Sequence, residues 1–247
     1  PCIYTTRLND PVDHAKKIFD AGGRVILIDT AHGGMQSVFP KAEAMKKIGF
    51  ESVIAGNITT YEQAKSYARE GTIDIARGFV GPGDVCDTKI TTGVGTTGEI
   101  SAIFDMRGIP SEYLPDGYLK LIADGGVKTY GDIAKAFAAG ADYVMAGSLF
   151  AGFDESNKVY DEDGNLILYG EASAEAMAER GTHATEWRNS EGRVKIIEPK
   201  GAIEPTLNKI KHGIRSAMSY TNAETMREFV EHTIWSVDLS RTKREVV

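Results

Sequence analysis

The chain has 247 residues, enough for one large α/β domain or two small ones, and its 42% hydrophobic and 26% charged content is ordinary for a globular protein. A net charge of −7 argues against nucleic acid as a partner, although backbone dipoles and a few arginines can still receive an anionic ligand. No apolar stretch approaches the roughly 18 residues of a membrane span, no signal peptide opens the chain, and Cys2 and Cys86 make no disulfide framework, which together lead us to expect a cytoplasmic protein without a membrane partner.

In chain order, Cys2 to Thr5 reads as a strand. Asn9-Asp10-Pro11 then caps a helix with Val12, Ala15, Ile18 and Phe19 on one face, stopped at Gly22-Gly23. Val25-Ile26-Leu27-Ile28 is a short apolar run ending at Asp29, the pattern of a strand buried on both faces. A helix from Ala42 to Ile48 and the strand Ser52 to Ala55 follow. Thr59 or Thr60 can cap a helix running to Arg69 and ended by Gly71, and Ile73 to Ala76 is the next strand. A helix from Glu99 to Arg107, the strand Leu119 to Ala123, a helix from Asp132 to Ala139 closed by Gly140, and the strand Tyr143 to Ala146 continue the alternation. Helices between apolar strands imply parallel pairing through right-handed crossovers.

After Leu149 the rhythm breaks. Asp154 to Asn165 is polar and turn-rich, Leu166 to Tyr169 and Val194 to Ile197 can pair, and Gly170 to Gly192 between them reads as a lid-like flap. A helix from about Glu204 to Met218 returns to the body, and the last residues are charged and frayed. The expected organisation is one domain over 1–247 with a flap at about 150–200.

Small and polar residues gather where each strand ends: Asp29-Thr30-Ala31-His32-Gly33-Gly34, Ala55-Gly56-Asn57, Asp124-Gly125-Gly126 and Gly147-Ser148. Open α/β sheets and β/α barrels both place sites there. Turn-forming glycines explain part of this pattern, but the last two clusters resemble a phosphate clamp on adjacent late strands, which favours a (β/α)8 barrel. About six strands are visible where a closed barrel needs eight. We therefore expect the chain to lack the first two strands of that barrel.

The run Gly81-Pro82-Gly83-Asp84-Val85-Cys86-Asp87-Thr88 sets Cys86 in a glycine-rich loop just after a strand. Exposed backbone N–H groups there can stabilise a thiolate, the setting of a nucleophile. A small side chain closing a turn is the alternative. His14, His32, His183, His212 and His232 show no metal-ligand spacing, so no zinc site is expected, and His32 reads as structural.

Several stretches in combination resemble the catalytic barrel of the IMP dehydrogenase / GMP reductase family. They are Gly81-Pro82-Gly83 with Cys86 and Thr88, Thr92-Gly93-Val94-Gly95, Ile122 to Gly126, Gly131 to Ala136, Ala139 to Asp142, Gly147-Ser148-Leu149, and Gly213 to Ser216 with Tyr220. The segment Glu186 to Arg193, followed by Pro199-Lys200-Gly201, is similar to the flap of the GMP reductase branch, whereas Asp29 to Gly33 looks more like the dehydrogenase branch. The flap carries the step that separates the two reactions and is weighted more heavily.

That resemblance implies reductive deamination of GMP to IMP with NADPH, through a covalent thioimidate on Cys86 and a proton relay of Thr88 and Glu191. On its own Glu191 reads as a solvated flap carboxylate. The substrate, a purine nucleoside monophosphate, is expected to meet Asp84, Asp124, Gly125, Gly126, Gly147, Ser148, Gly170, Glu171, Arg188, Ser190 and Gly192, with Asp124 on the ribose and the glycine turns on the phosphate. The cofactor is expected along Asp29, Thr30, Ala31, Asn57, Trp187 and Arg188. Ser216, Ala217, Met218 and Ser219 match an adenosine contact supplied by a neighbouring subunit of a homotetramer, although a helix end reads equally well as packing. Carbonyls of Gly81, Gly83 and Cys86 match a potassium site. Two departures stand out. Asp84 replaces a serine that touches the 5′-phosphate, and Glu171-Ala172 replaces a Met-Ser pair on the base. Dehydrogenation of IMP to XMP with NAD is the alternative reaction, and a nucleotide-binding or regulatory protein with weak turnover is the alternative class.

Overall fold

The computed structural model describes residues 3–6, 11–96, 98–170, 173–174, 176 and 191–236. Its parallel strands are β1 (Ile3–Thr6), β2 (Val25–Asp29), β3 (Ser52–Ile58), β4 (Ile75–Gly78), β6 (Tyr118–Asp124) and β7 (Tyr143–Met145). Each pairs in parallel with the next in that order. The two-residue β5 (Ile109–Pro110) runs antiparallel to the start of β6. The crossovers carry α1 (Pro11–Asp20), α2 (Val38–Ile48), α3 (Tyr61–Glu70), α4 (Thr88–Thr92), α5 (Glu99–Met106) and α6 (Tyr130–Ala139). This is the β/α-barrel architecture, presented as six consecutive parallel strands.

Strand alternation divides the core into two layers. Ile26 and Ile28 of β2, Val53 and Ala55 of β3, and Leu119, Leu121 and Ala123 of β6 face outward against Met45, Tyr67, Ile103 and Met106 of the helices. Leu27, Ile54, Ile75 and Ile122 face inward as a second cluster, joined by Val25 and Met145. Burial on both faces is why these strands read as continuous apolar runs.

The helix signals act as their chemistry predicts. Thr60 accepts the Gln63 amide and Gln63 returns the bond, a capping box that starts α3, and Thr129 with Asp132 does the same for α6. Several strand boundaries differ from expectation, the largest being β3, which runs on to Ile58 instead of ending at Ala55. The Ile73 run enters the sheet only at Ile75, because the Asp74 carboxylate is already committed to the Val53 N–H at 2.6 Å and the Lys46 ammonium at 2.6 Å. Asp142 repeats the device one unit later, accepting the Leu121 N–H at 2.8 Å.

Beyond β7, β8 (Val159–Tyr160), β9 (Leu166–Tyr169) and β10 (Val194–Ile196) form a small antiparallel sheet, in which β9 and β10 pair as their sequences suggest. β8 lies inside the stretch expected to be polar turns. α7 (Glu204–Tyr220) packs on α6, and α8 (Met226–His232), capped by Thr225, adds a helical turn near the charged end. No helix among the described residues is long and apolar enough to cross a membrane.

Candidate active site

Register brings Asp29, Gly56 and Arg77 into one row across β2, β3 and β4 at the carboxyl ends of the strands. Arg77 faces the barrel interior two residues after Ile75. Its Nη1 lies 2.7 Å from Asp29 Oδ1, and its Nε and Nη2 each lie 2.9 Å from Asp124 Oδ2. The same Asp124 oxygen accepts the Asn57 side-chain amide at 3.0 Å, and that amide also reaches the Phe79 carbonyl at 2.6 Å. Burial pushes the Asp124 carboxyl up, Arg77 and Asn57 pull it down, and burial wins, leaving it above the ordinary range. Arg77 is the residue that motif reading missed. The signal was present in Ile75-Ala76-Arg77-Gly78, where a charge at an inward strand position demands a buried partner.

Gly56 makes the row possible. A Cβ there would lie 2.6 Å from Arg77 Cβ and collide with the Arg77 carbonyl oxygen. Gly56→Ala is therefore expected to cost about 3 kcal/mol, read as a lower denaturation midpoint with an unchanged m-value. Beside it, Thr30 anchors the β2 exit by donating its amide at 2.9 Å and its hydroxyl at 2.7 Å to the Gly56 carbonyl. Ala31 is exposed at the same exit. His32 Nε2 lies 3.1 Å from the Gln63 side-chain amide.

The cysteine loop follows β4. Its turn closes where the Cys86 amide donates to the Gly83 carbonyl at 3.1 Å, and the half-buried Cys86 thiol donates to Thr88 Oγ1 at 3.4 Å. The loop is stitched to residues 191–193. Asp87 N–H donates to the Glu191 carbonyl at 2.7 Å, Arg193 N–H to the Val85 carbonyl at 3.0 Å, and Cys86 bridges Gly192. An Arg193–Asp87 ion pair at 2.7 Å reinforces the stitch. Gly170 and Gly192 allow the approach, since a Cβ on Gly170 would strike the Val85 carbonyl and one on Gly192 would lie 2.8 Å from the Ser173 nitrogen. The Glu191 backbone thus arrives beside Asp87, between Cys86 and Thr88 in the chain, and its Oε2 is buried with no hydrogen-bond partner among the described residues.

Gly125 and Gly126, at φ +92° and +72°, turn the chain after β6 against Pro82 and Gly83 of the cysteine loop. Gly147 leaves open space where a side chain would stand, and the Ser148 carbonyl accepts the Lys200 ammonium at 3.2 Å. Asp84 lies between Lys128 at 3.1 Å and Lys195 at 3.2 Å. Burial alone would push its carboxyl up, but the two lysines hold it below the usual carboxylate range. Asp84, the departure from the serine expected at the 5′-phosphate, is thus a paired carboxylate.

The structure thus gathers Asp29, Thr30, Asn57, Arg77 and Asp124 at the barrel mouth, and Cys86, Thr88, Gly170, Glu191 and Gly192 at the stitched loop. Ser216, Ala217, Met218 and Ser219 stand apart from these, on α7. Met218 and Ser219 line a groove of about 480 Å³ with Arg215, Asn222, Ala223 and Glu224. Glu171, Trp187, Arg188 and Ser190 lie outside the described residues.

A family model described as IMP dehydrogenase / GMP reductase domain matches residues 5–244. Inosine-5′-monophosphate dehydrogenase of Streptococcus pyogenes is 34% identical over 236 residues, covering 91% of this chain and 47% of its own length. The enzyme of the same name from Staphylococcus aureus is 35% identical over 229 residues, covering 88% and 46%. The chain spans about half the length of these curated relatives. A crystal structure of a GMP reductase variant from Trypanosoma brucei in complex with guanosine 5′-monophosphate superposes with a TM-score of 0.80 at 30% identity, over 94% of this chain and 48% of that one.

Proposed function

The chain belongs to the IMP dehydrogenase / GMP reductase family, and on that premise we propose that it is a purine-nucleotide oxidoreductase that reductively deaminates GMP to IMP with NADPH. What supports this reading is the stitch, which brings the backbone of residues 191–193 to the loop of a cysteine already hydrogen-bonded to Thr88, with a Glu191 oxygen that is buried and unpartnered among the described residues. Cys86 Sγ adds to C2 of the guanine, forming a C–S bond. The Thr88–Glu191 pair delivers a proton to the 2-amino group, which leaves as ammonia. NADPH, when bound, supplies the hydride that C2 takes as the thiolate departs.

The remaining residues bind and orient. Asp124 faces the ribose hydroxyls, and the Gly125-Gly126 and Gly147-Ser148 turns receive the phosphate. At the mouth the Asn57 side-chain N–H groups and the Thr30 hydroxyl hydrogen are already given to Phe79, Asp124 and Gly56. The donors for a nicotinamide nucleotide are therefore the Arg77 N–H groups beyond its contacts with Asp29 and Asp124, with Asn57 Oδ1 and Thr30 Oγ1 as acceptors. For a potassium ion, the Gly83 carbonyl keeps a second lone pair beyond the one that closes the turn onto Cys86. In a homotetramer, Ser216 to Ser219 would complete a neighbouring subunit's cofactor site.

Oxidation of IMP to XMP with NAD is the second reading, favoured by the curated relatives' own names. Nicotinamide absorbance separates the two. Oxidation of NADPH on addition of GMP alone supports the reductase, and reduction of NAD with IMP in its place overturns it.

A further inference from the structure

Three ammonium groups from two segments far apart in the chain bracket the two glycine turns. Lys128 follows the Gly125-Gly126 turn and lies 3.1 Å from Asp84 Oδ1, and Lys195 on β10 lies 3.2 Å from Asp84 Oδ2. Lys200 reaches the Ser148 and Leu149 carbonyls at 3.2 and 3.1 Å. Burial pushes its ammonium down, and Lys195 is close enough to push it further. The Glu99 carboxyl carbon also lies 3.8 Å from where a Gly126 Cβ would stand, so two carboxylates face three ammoniums and the patch holds a surplus of one positive charge in a chain whose net charge is −7. A phosphate monoester carries about −1.5 to −2 at neutral pH, so a net-positive patch in an acidic chain attracts it.

The ion pairs have little value for the fold. The lysine side chains are 66% and 56% exposed, and pairs that open to solvent contribute little to stability. Their effect is to hold two flexible chains in a fixed fork before any ligand arrives, which lowers the entropy lost on binding.

We propose that Lys128, Lys195 and Lys200 recognise the 5′-phosphate of the nucleotide, and that Asp84 is a positioning residue that aligns the first two instead of repelling the ligand. This rests on the nucleotide reading given above. It makes the substrate class of this chain a nucleoside monophosphate read by side-chain charge as well as by backbone amides.

The test is calorimetric titration with GMP, IMP and guanosine, using the wild type, Lys128→Met with Lys195→Met, and Asp84→Asn. The wild type should prefer GMP to guanosine, with an affinity that falls steeply with salt. The double lysine variant should bind GMP on the order of a hundredfold more weakly, about tenfold per lysine, with guanosine unchanged. Asp84→Asn should weaken GMP severalfold, although it removes a negative charge. Tighter GMP binding by Asp84→Asn would overturn the positioning role, and an unchanged GMP-to-guanosine ratio in the lysine variant would overturn the recognition. A wild type that binds neither GMP nor IMP would instead overturn the nucleotide reading itself.

Discussion

Replacing Cys86 by alanine should lower the rate of GMP-dependent NADPH oxidation by at least about a thousandfold while GMP still binds, because the covalent step then has no nucleophile. Cys86 is half-buried and its backbone holds the stitch, so the melting temperature should stay close to that of the wild type. Thr88→Ala should also slow turnover, but less, because it removes one member of a proton relay and leaves the nucleophile in place. The check is a pair of measurements, steady-state rates and GMP titration on the same preparations. Full activity in Cys86→Ala would eliminate the covalent mechanism.

Arg77→Met should be the most damaging substitution for stability. It leaves Asp29 and Asp124 facing the same space without their shared cation, each side chain only 16–17% exposed. Removing one partner of a buried pair costs roughly 3–5 kcal/mol, or on the order of 10 °C in melting temperature for a chain this long. The pH dependence has a definite sign. Asp124 is already raised above its unfolded value, first by burial, so its ionised form opposes folding, and the loss of Arg77 raises it further. The deficit of the variant against the wild type should therefore be largest at neutral pH and shrink as pH falls toward the Asp124 titration. A deficit that does not change with pH would mean that Arg77 acts by packing alone.

Most of the strand and helix order was legible because each signal is local. Apolar runs of four residues, glycine stops and Thr60-type caps need no knowledge of the rest of the chain. The strand entering at Ile75 was misjudged by two residues, since hydrophobicity cannot show that Asp74 is claimed by Val53 and Lys46. The site was legible in part for the same reason. Cys86, Thr88 and the glycine turns announce themselves within short windows. Arg77 does not, because its meaning lies in the register that aligns it with Gly56 and Asp29, and register is a property of three strands together. The lysines around Asp84 were hidden likewise. One follows a turn, one sits on a hairpin strand, and only the fold brings both to the same carboxylate.

The stitch between residues 85–87 and 191–193 has a consequence for how the molecule is made. Every barrel pairing among the described residues joins strands that are neighbours or near-neighbours in the chain, whereas the stitch joins segments roughly a hundred residues apart, with the larger closure entropy that such a span carries. We expect the barrel units to assemble first and Cys86 to reach its working position last. During that interval the thiol stands on a formed strand end without Glu191 beside it. Competence would then be acquired as the final event of folding, in one step, when the far segment docks.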